Sequence, residues 1–222
     1  MSKKLIALAG VARAGKDDFT KSLVSRGWTR LAYGDIIKEF FRPTIKLDEP
    51  TFDTLDRILE VNPKVDYDQL TTFTAEILPK FQQCLDEEFP ELQGLDPFSE
   101  VDQEKKCFRP ILEHGGKLIY QWVTETFYNQ VDACTTNVIN PRCVFPEEAS
   151  KWRLLGGELL LIDAIHVEAV SQWEKNAMLE LKRSGLISGI LPNWSTKEDW
   201  IIFAEEYADG LRTWPSSPLL KV

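Results

Sequence analysis

The chain has 222 residues, 43% of them hydrophobic and 27% charged, and a formal net charge of -9 from 26 basic and 35 acidic side chains. Those proportions predict one soluble globular domain with an inserted subdomain, because a single core usually accounts for roughly 100–200 residues. They exclude disordered, collagen-like and solenoid architectures, and the acidic balance opposes polynucleotide binding over the whole surface.

Apolar runs such as residues 159–162 fall far short of the roughly 18 residues a membrane helix needs, so no membrane partner is expected. The start Met1-Ser2-Lys3-Lys4 leads into a short apolar run and a Gly-rich motif instead of a cleavage site, which predicts a cytoplasmic protein. Cys84, Cys107, Cys134 and Cys143 lie 23, 27 and 9 positions apart, neither a zinc spacing nor a dense disulfide framework. Four free thiols in a reducing compartment are expected.

In chain order, residues 5–9 form a short apolar run suited to a strand buried on both faces. Residues 10–15 make a turn, and Phe19, Leu23 and Val24 recur at helical spacing until Gly27. Residues 28–33 read as a second strand, and Gly34-Asp35 opens a helix that Pro43 ends. The segment from 43 to about 108 is acidic and proline-rich, with helical periodicity mainly over 67–85, and reads as a helical insertion. Residues 108–131 are amphipathic, interrupted by Gly115-Gly116. Strand-like runs at 137–140, 159–162 and 186–191 then alternate with helices over 146–155, 167–183 and from Ser195 or Thr196 to 211. Strand and helix in alternation predict a three-layer α/β fold with a mainly parallel sheet, a single domain over 1–222 carrying the insertion.

Gly10-Val11-Ala12-Arg13-Ala14-Gly15-Lys16 fits the phosphate-binding pattern G-x-x-x-x-G-K, and it stands between a predicted strand and a predicted helix as that mechanism requires. Glycines permit a tight loop whose amides converge on phosphate oxygens, the helix N-terminus adds positive potential, and Lys16 supplies a charge to the β and γ phosphates. Asp17 stands where a hydroxyl residue ordinarily meets Mg²⁺. It either binds the ion, directly or through water, or serves as a favourable charge in the first helical turn.

The run Gly10 to Asp18, G-V-A-R-A-G-K-D-D, resembles the G-x-x-x-[SA]-G-K-D-[TF] loop of phage-type deoxynucleoside monophosphate kinases. Leu31-Ala32-Tyr33-Gly34-Asp35-Ile36-Ile37-Lys38-Glu39 is similar to that family's A-x-A-D-x-L-K-E segment, and Arg109-Pro110-Ile111-Leu112-Glu113-His114-Gly115 to its R-x-x-L-Q-x-x-G segment. Phe145-Pro146-Glu147-Glu148-Ala149 with Gly156-Gly157-Glu158-Leu159 resembles F-x-x-E-A and G-G-x-[LV], and Pro192-Asn193-Trp194-Ser195 resembles the N-D-G-[ST] loop before the last helix. The order of these segments covers nearly the whole chain outside the insertion.

The resemblance implies a P-loop kinase fold and an ATP-dependent transfer assisted by Mg²⁺ to a deoxynucleotide, either a free deoxynucleoside monophosphate or, as in the related phage 5-hydroxymethyluracil DNA kinases, a base hydroxymethyl group in DNA. It implies ATP contacts from Gly10, Val11, Ala12, Arg13, Ala14, Gly15, Lys16, Asp17, Asp18 and Trp194, and acceptor contacts from Asp35, Lys38, Arg109 and Glu113. Lys16 and Arg142 would act on the transferred phosphate, and Asp17 and Asp163 would stand near the metal. The chain departs from the family at Val144, where an Arg is usual, at Glu113, where a Gln reads a base edge, and at Asp18, where a hydroxyl is usual. Glu113 and Val144 favour a changed acceptor, and the -9 charge opposes DNA. A nucleotide-binding module without activity is the reading from another class.

Each residue also has a structural reading. Asp35 caps a helix, Arg109 pairs with an acid of the insertion, and Asp163 caps the segment after its strand. His114 and His166 form no metal or catalytic pattern. Of the seven tryptophans, Trp122, Trp152, Trp173 and Trp200 fall on amphipathic helices and read as core. Glu147 and Glu148 suit a helix start, and Arg153 reads as a solvated helix residue. The insertion is expected to shape the acceptor site, against an acidic decoration or an oligomer contact in a homodimer.

Overall fold

The computed structural model describes residues 3–42, 52–90, 107–164, 167–169 and 172–211. In chain order these form β1 (Leu5–Ala9), α1 (Lys16–Val24), β2 (Thr29–Arg30), α2 (Tyr33–Phe41), α3 (Phe52–Val61) and α4 (Tyr67–Thr72). A π-helical turn (Phe73–Ile77) continues α4 into α5 (Leu78–Glu88), and a second π-turn (Ile111–Gly115) and a short turn (Gly116–Leu118) precede α6 (Tyr120–Ala133). The chain continues through β3 (Val138–Asn140), α7 (Pro146–Leu154), β4 (Glu158–Asp163), α8 (Gln172–Arg183), β5 (Gly189–Pro192) and α9 (Lys197–Ala208). The expectations for His166, for the side chain of Trp173 and for residues 43–51 and 91–106 of the insertion lie outside the described residues.

The chain divides into two compact units, residues 1–32 with 131–222, and residues 33–130. The first holds a five-stranded sheet in the order β2-β3-β1-β4-β5, with every neighbouring pair parallel. β1 is central, with Leu5 opposite Val138 on one side and Ala9 opposite Leu161 on the other. All five of its residues are buried, as expected of a strand covered on both faces. Ile6 and Leu8 join Ile139, Leu160, Ile162 and Leu191 in a cluster roofed by Phe19 and Leu23 of α1 and by Trp200, Ala204 and Tyr207 of α9. Each such large apolar side chain contributes about 1.5–3 kcal/mol through burial. The alternate residues face the opposite side, where α7 packs on β4 and β1. The result is the three-layer α/β fold that the alternation of elements predicts.

The second unit is helical. Its core includes Phe40 and Phe41 of α2, Phe73 in the first π-turn, and the buried Phe108, Ile111 and Phe127. This unit contains the expected insertion and also takes in α2 and residues 109–130. Gly115 is required here by close approach: a Cβ would lie 2.7 Å from both Cε2 and Cζ of Phe41. A Cβ at Gly116 would lie 2.8 Å from Cδ1 of Ile37, so both glycines that break the amphipathic pattern of 108–131 stand at close approaches to α2.

The cysteine expectation needs correction. Cys84, on α5, and Cys107 form a disulfide with Cα atoms 5.5 Å apart, while Cys134 and Cys143 are free. Spacing along the chain carried no sign of this, because a separation of 23 positions does not fix whether two Cα atoms lie within bridging distance.

Candidate functional site

Because the sheet is wholly parallel, the C-terminal ends of its strands share one edge, the edge at which open α/β sheets bind ligands. Residues 10–15 leave β1 there, Arg142 follows β3, Asp163 ends β4, and Asn193-Trp194 follow β5. The first unit thus gathers the loop, Arg142, Asp163 and Trp194 of the expected set at one edge.

The loop has a definite shape. φ is +64° at Arg13 and +95° at Gly15, while Ala12 and Ala14, the residue before each, keep negative φ. Alternation of this kind turns backbone N–H groups toward a common concavity, the nest that binds anionic oxygens, although the Ala14 N–H is taken by the Val11 carbonyl at 3.2 Å. Arg13 is the only non-glycine residue with positive φ among those described, a strained conformation costing about 1–3 kcal/mol that the surroundings must hold. They do so from a distance. Asn193 Nδ2 donates to the Ala14 carbonyl at 2.9 Å, and Trp200 Nε1 donates to the Gly15 carbonyl at 2.9 Å. A Cβ at Gly15 would lie 2.5 Å from Asn193 Nδ2 and 2.7 Å from Trp200 Nε1, so a larger residue fails on space as well as on φ.

Lys16 begins α1 and curls over the loop, its Nζ donating to the Gly10 and Val11 carbonyls at 2.7 and 2.6 Å. Asp17 and Asp18 occupy the first turn of α1; Asp17 is exposed, and Asp18 pairs with Lys197 at 3.6 Å. The Ala12 N–H donates to Oε1 of Glu174, in the first turn of α8, at 2.8 Å. A carboxylate oxygen therefore already sits on one amide of the nest.

Other groups order the same edge. The Asn193 N–H donates to the Asp163 carbonyl at 2.8 Å, fixing the strand ends beside the loop. The Arg142 N–H donates to Oδ1 of the buried Asn140 at 3.1 Å, while the Arg142 side chain is exposed. Glu148 accepts the Val144 and Phe145 N–H groups at 3.2 and 3.4 Å, half of a capping box at the start of α7. Burial pushes its carboxyl above the usual range, against the pull of those amides and of Arg142. Its structural reading as a helix-start acid is the one observed. Arg153 is more than a solvated residue, since its Nη1 donates to Ser188 Oγ at 2.7 Å. Trp152 and Trp200 are core as expected, and Trp194 is 59% exposed.

The second unit carries the rest of the expected set. Asp35 and Lys38 lie on α2, Asp35 in its first turn, and the Lys38 ammonium stands 4.9 Å from the ring centre of Phe108. Arg109 pairs with Glu113 at 3.9 Å, both side chains 63% exposed, and among the described residues it pairs with no acid of the insertion. The two are four residues apart, Arg109 before the π-turn of Ile111–Gly115 and Glu113 within it. Sequence reasoning missed Asn193, Trp200 and Glu174 as partners of the loop. Asn193 stands directly before Trp194, the residue that the resemblance singles out in the Pro192–Ser195 segment.

A magnesium ion fits this edge through its chemistry. Asp17 and Asp163 offer hard oxygen ligands, and Mg²⁺ commonly takes one or two carboxylates with phosphates and water completing its shell. Among the described residues no three His, Cys, Asp or Glu side chains cluster as an all-protein metal cage. No helix among those residues is long and apolar enough to cross a membrane.

No protein-family model matches the chain, and no curated protein matches it. Among solved structures it is similar to TT1252 from Thermus thermophilus, at 13% identity and a TM-score of 0.45, over 96% of this chain and 100% of that one.

Proposed function

We propose that the chain is an ATP-dependent phosphotransferase acting on a deoxynucleotide, with a deoxynucleoside monophosphate as the leading acceptor. One observation carries the reading: a loop of alternating φ, closed by Lys16 at the start of α1, at the ligand-binding edge of a parallel sheet. Phosphoryl transfer asks a protein mainly for positioning and charge stabilisation, and these groups supply both. Residues 10–18 hold the donor phosphates through backbone N–H groups, and Lys16 exchanges its two carbonyl partners for phosphate oxygens. Asp17 and Asp163, together with the phosphates, would hold Mg²⁺, which would supply charge neutralisation there. Arg142 acts on the transferred group, Trp194 lies along the adenine, and Asp35, Lys38, Arg109 and Glu113 bind the acceptor.

Glu113 and Val144, which depart from the family pattern, favour a changed acceptor, and the second reading moves the transfer to the hydroxymethyl group of 5-hydroxymethyluracil in DNA, which the -9 charge opposes. Labelled ATP offered with each free deoxynucleoside monophosphate and with hydroxymethyluracil DNA separates the two. Transfer to a monophosphate supports the leading reading, transfer to DNA the second, and ATP binding without transfer to any acceptor refutes both in favour of an inactive module.

A further inference from the structure

Glu174 is separated from the loop by 162 positions, yet its carboxylate accepts the Ala12 N–H at 2.8 Å. A carboxylate on a backbone amide is a charge-assisted bond, stronger than one between neutral groups. Its oxygen stands where a nest takes the oxygen of a phosphate. We infer that Glu174 is an internal competitor for the phosphate loop, which nucleotide phosphates must displace from Ala12 to engage the loop fully; the inference rests on the phosphotransferase reading.

The physical reason is twofold. One amide hydrogen cannot bond a carboxylate and a phosphate at full strength together, and two anionic oxygens in one concavity repel each other. The loop that accepts phosphate is therefore only part of the ensemble, and apparent affinity falls by that fraction. Since Glu174 lies in the first turn of α8, occupancy of the loop is coupled to the start of that helix. The competition acts on phosphate-bearing ligands through one shared amide, so it weakens all that use Ala12 by the same factor.

The test is calorimetric titration of the full chain with ATP and, separately, with inorganic tripolyphosphate. Wild type is compared with Glu174→Ala, with Glu174→Gln and with the control Glu180→Gln, an exposed acid of the same helix. Glu174→Ala should tighten both ligands by about tenfold, the worth of one hydrogen bond to a charged group. Glu174→Gln, which keeps the side chain's size and a neutral acceptor, should give a smaller gain and carries the test if the alanine variant folds poorly. Glu180→Gln should stay within about twofold, which separates competition from a general loss of negative charge. Unchanged or weaker binding by both Glu174 variants, with wild type binding ATP, overturns the competition and leaves the phosphotransferase reading standing. An equal gain from Glu180→Gln also overturns it. Binding by neither wild type nor variants overturns both readings.

Discussion

In the first unit, the loop of residues 10–15 takes its shape from backbone groups held by side chains far away in sequence, chiefly Asn193 and Trp200. In the second unit, the segment carrying Arg109 and Glu113 is shaped by the contact of Gly115 with Phe41, and its charged ends lie in solvent. The loop is over-determined where the ligand would meet backbone; the Arg109 segment is fixed at its base and adjustable at its tips. A phosphate held by backbone amides needs the first arrangement, because amides cannot be re-aimed by a rotamer. Selection among acceptors is compatible with the second, where a change of side chain alters recognition without altering the fold.

Breaking the first region should have the largest effect. Gly15→Ala sets a Cβ against two donor nitrogens in a backbone conformation at φ +95°, so the bonds to Asn193 and Trp200 cannot both survive. We expect loss of ATP binding and a stability loss of about 2 kcal/mol or more, read by calorimetry and denaturant unfolding. Retained ATP affinity would show that the loop's shape does not depend on those donors. Gly115→Ala should cost about 1–3 kcal/mol by overpacking against Phe41, with ATP affinity unchanged. A fall in ATP affinity as large as that from Gly15→Ala would erase the distinction between the two regions.

Arg109→Ala sharpens the comparison at the adjustable tips. Its ion pair with Glu113 is long and exposed, so stability should move by less than about 0.5 kcal/mol. Acceptor KM should nevertheless rise about tenfold while ATP affinity holds, the loss expected of one charged contact. Unchanged acceptor kinetics would remove Arg109 from the acceptor site.

The smallest effect concerns Glu148. Because burial raises its folded pKa above the unfolded value, the unfolded state loses its proton first as pH rises, and this group's contribution to stability falls between the two values. Glu148→Gln should be insensitive there, so its stability relative to wild type should increase with pH across that window. A difference that stays flat, or shrinks as pH rises, would contradict the assigned cause.

The loop was legible in the sequence because its chemistry is contiguous: two glycines and a lysine at fixed spacing, between an apolar run and a helical period. The strand ends were legible for a similar reason, since buried parallel strands are short apolar runs closed by polar residues such as Asn140 and Asp163. The groups that hold the loop were not legible. The bonds from Asn193 and Trp200 span 179 and 185 positions, and an indole on an amphipathic helix looks the same in sequence whether or not its N–H has a carbonyl to reach. Glu174 carries no local signal either, as an acid in a first helical turn is favourable for its own sake. The Cys84–Cys107 bridge was hidden because a separation of 23 positions does not say whether two Cα atoms come within bridging distance.

The central claim is that the loop exists to stabilise phosphoryl transfer, and Lys16 is the group through which it would act. The most direct measurement is transfer of label from ATP to deoxynucleoside monophosphates by wild type and by Lys16→Ala, with the unfolding of both recorded beside it. We predict transfer by wild type, a rate lower by at least about 100-fold in Lys16→Ala, and a closely similar unfolding transition. Transfer by Lys16→Ala at the wild-type rate, or ATP binding by wild type with no transfer to any acceptor, would contradict the account.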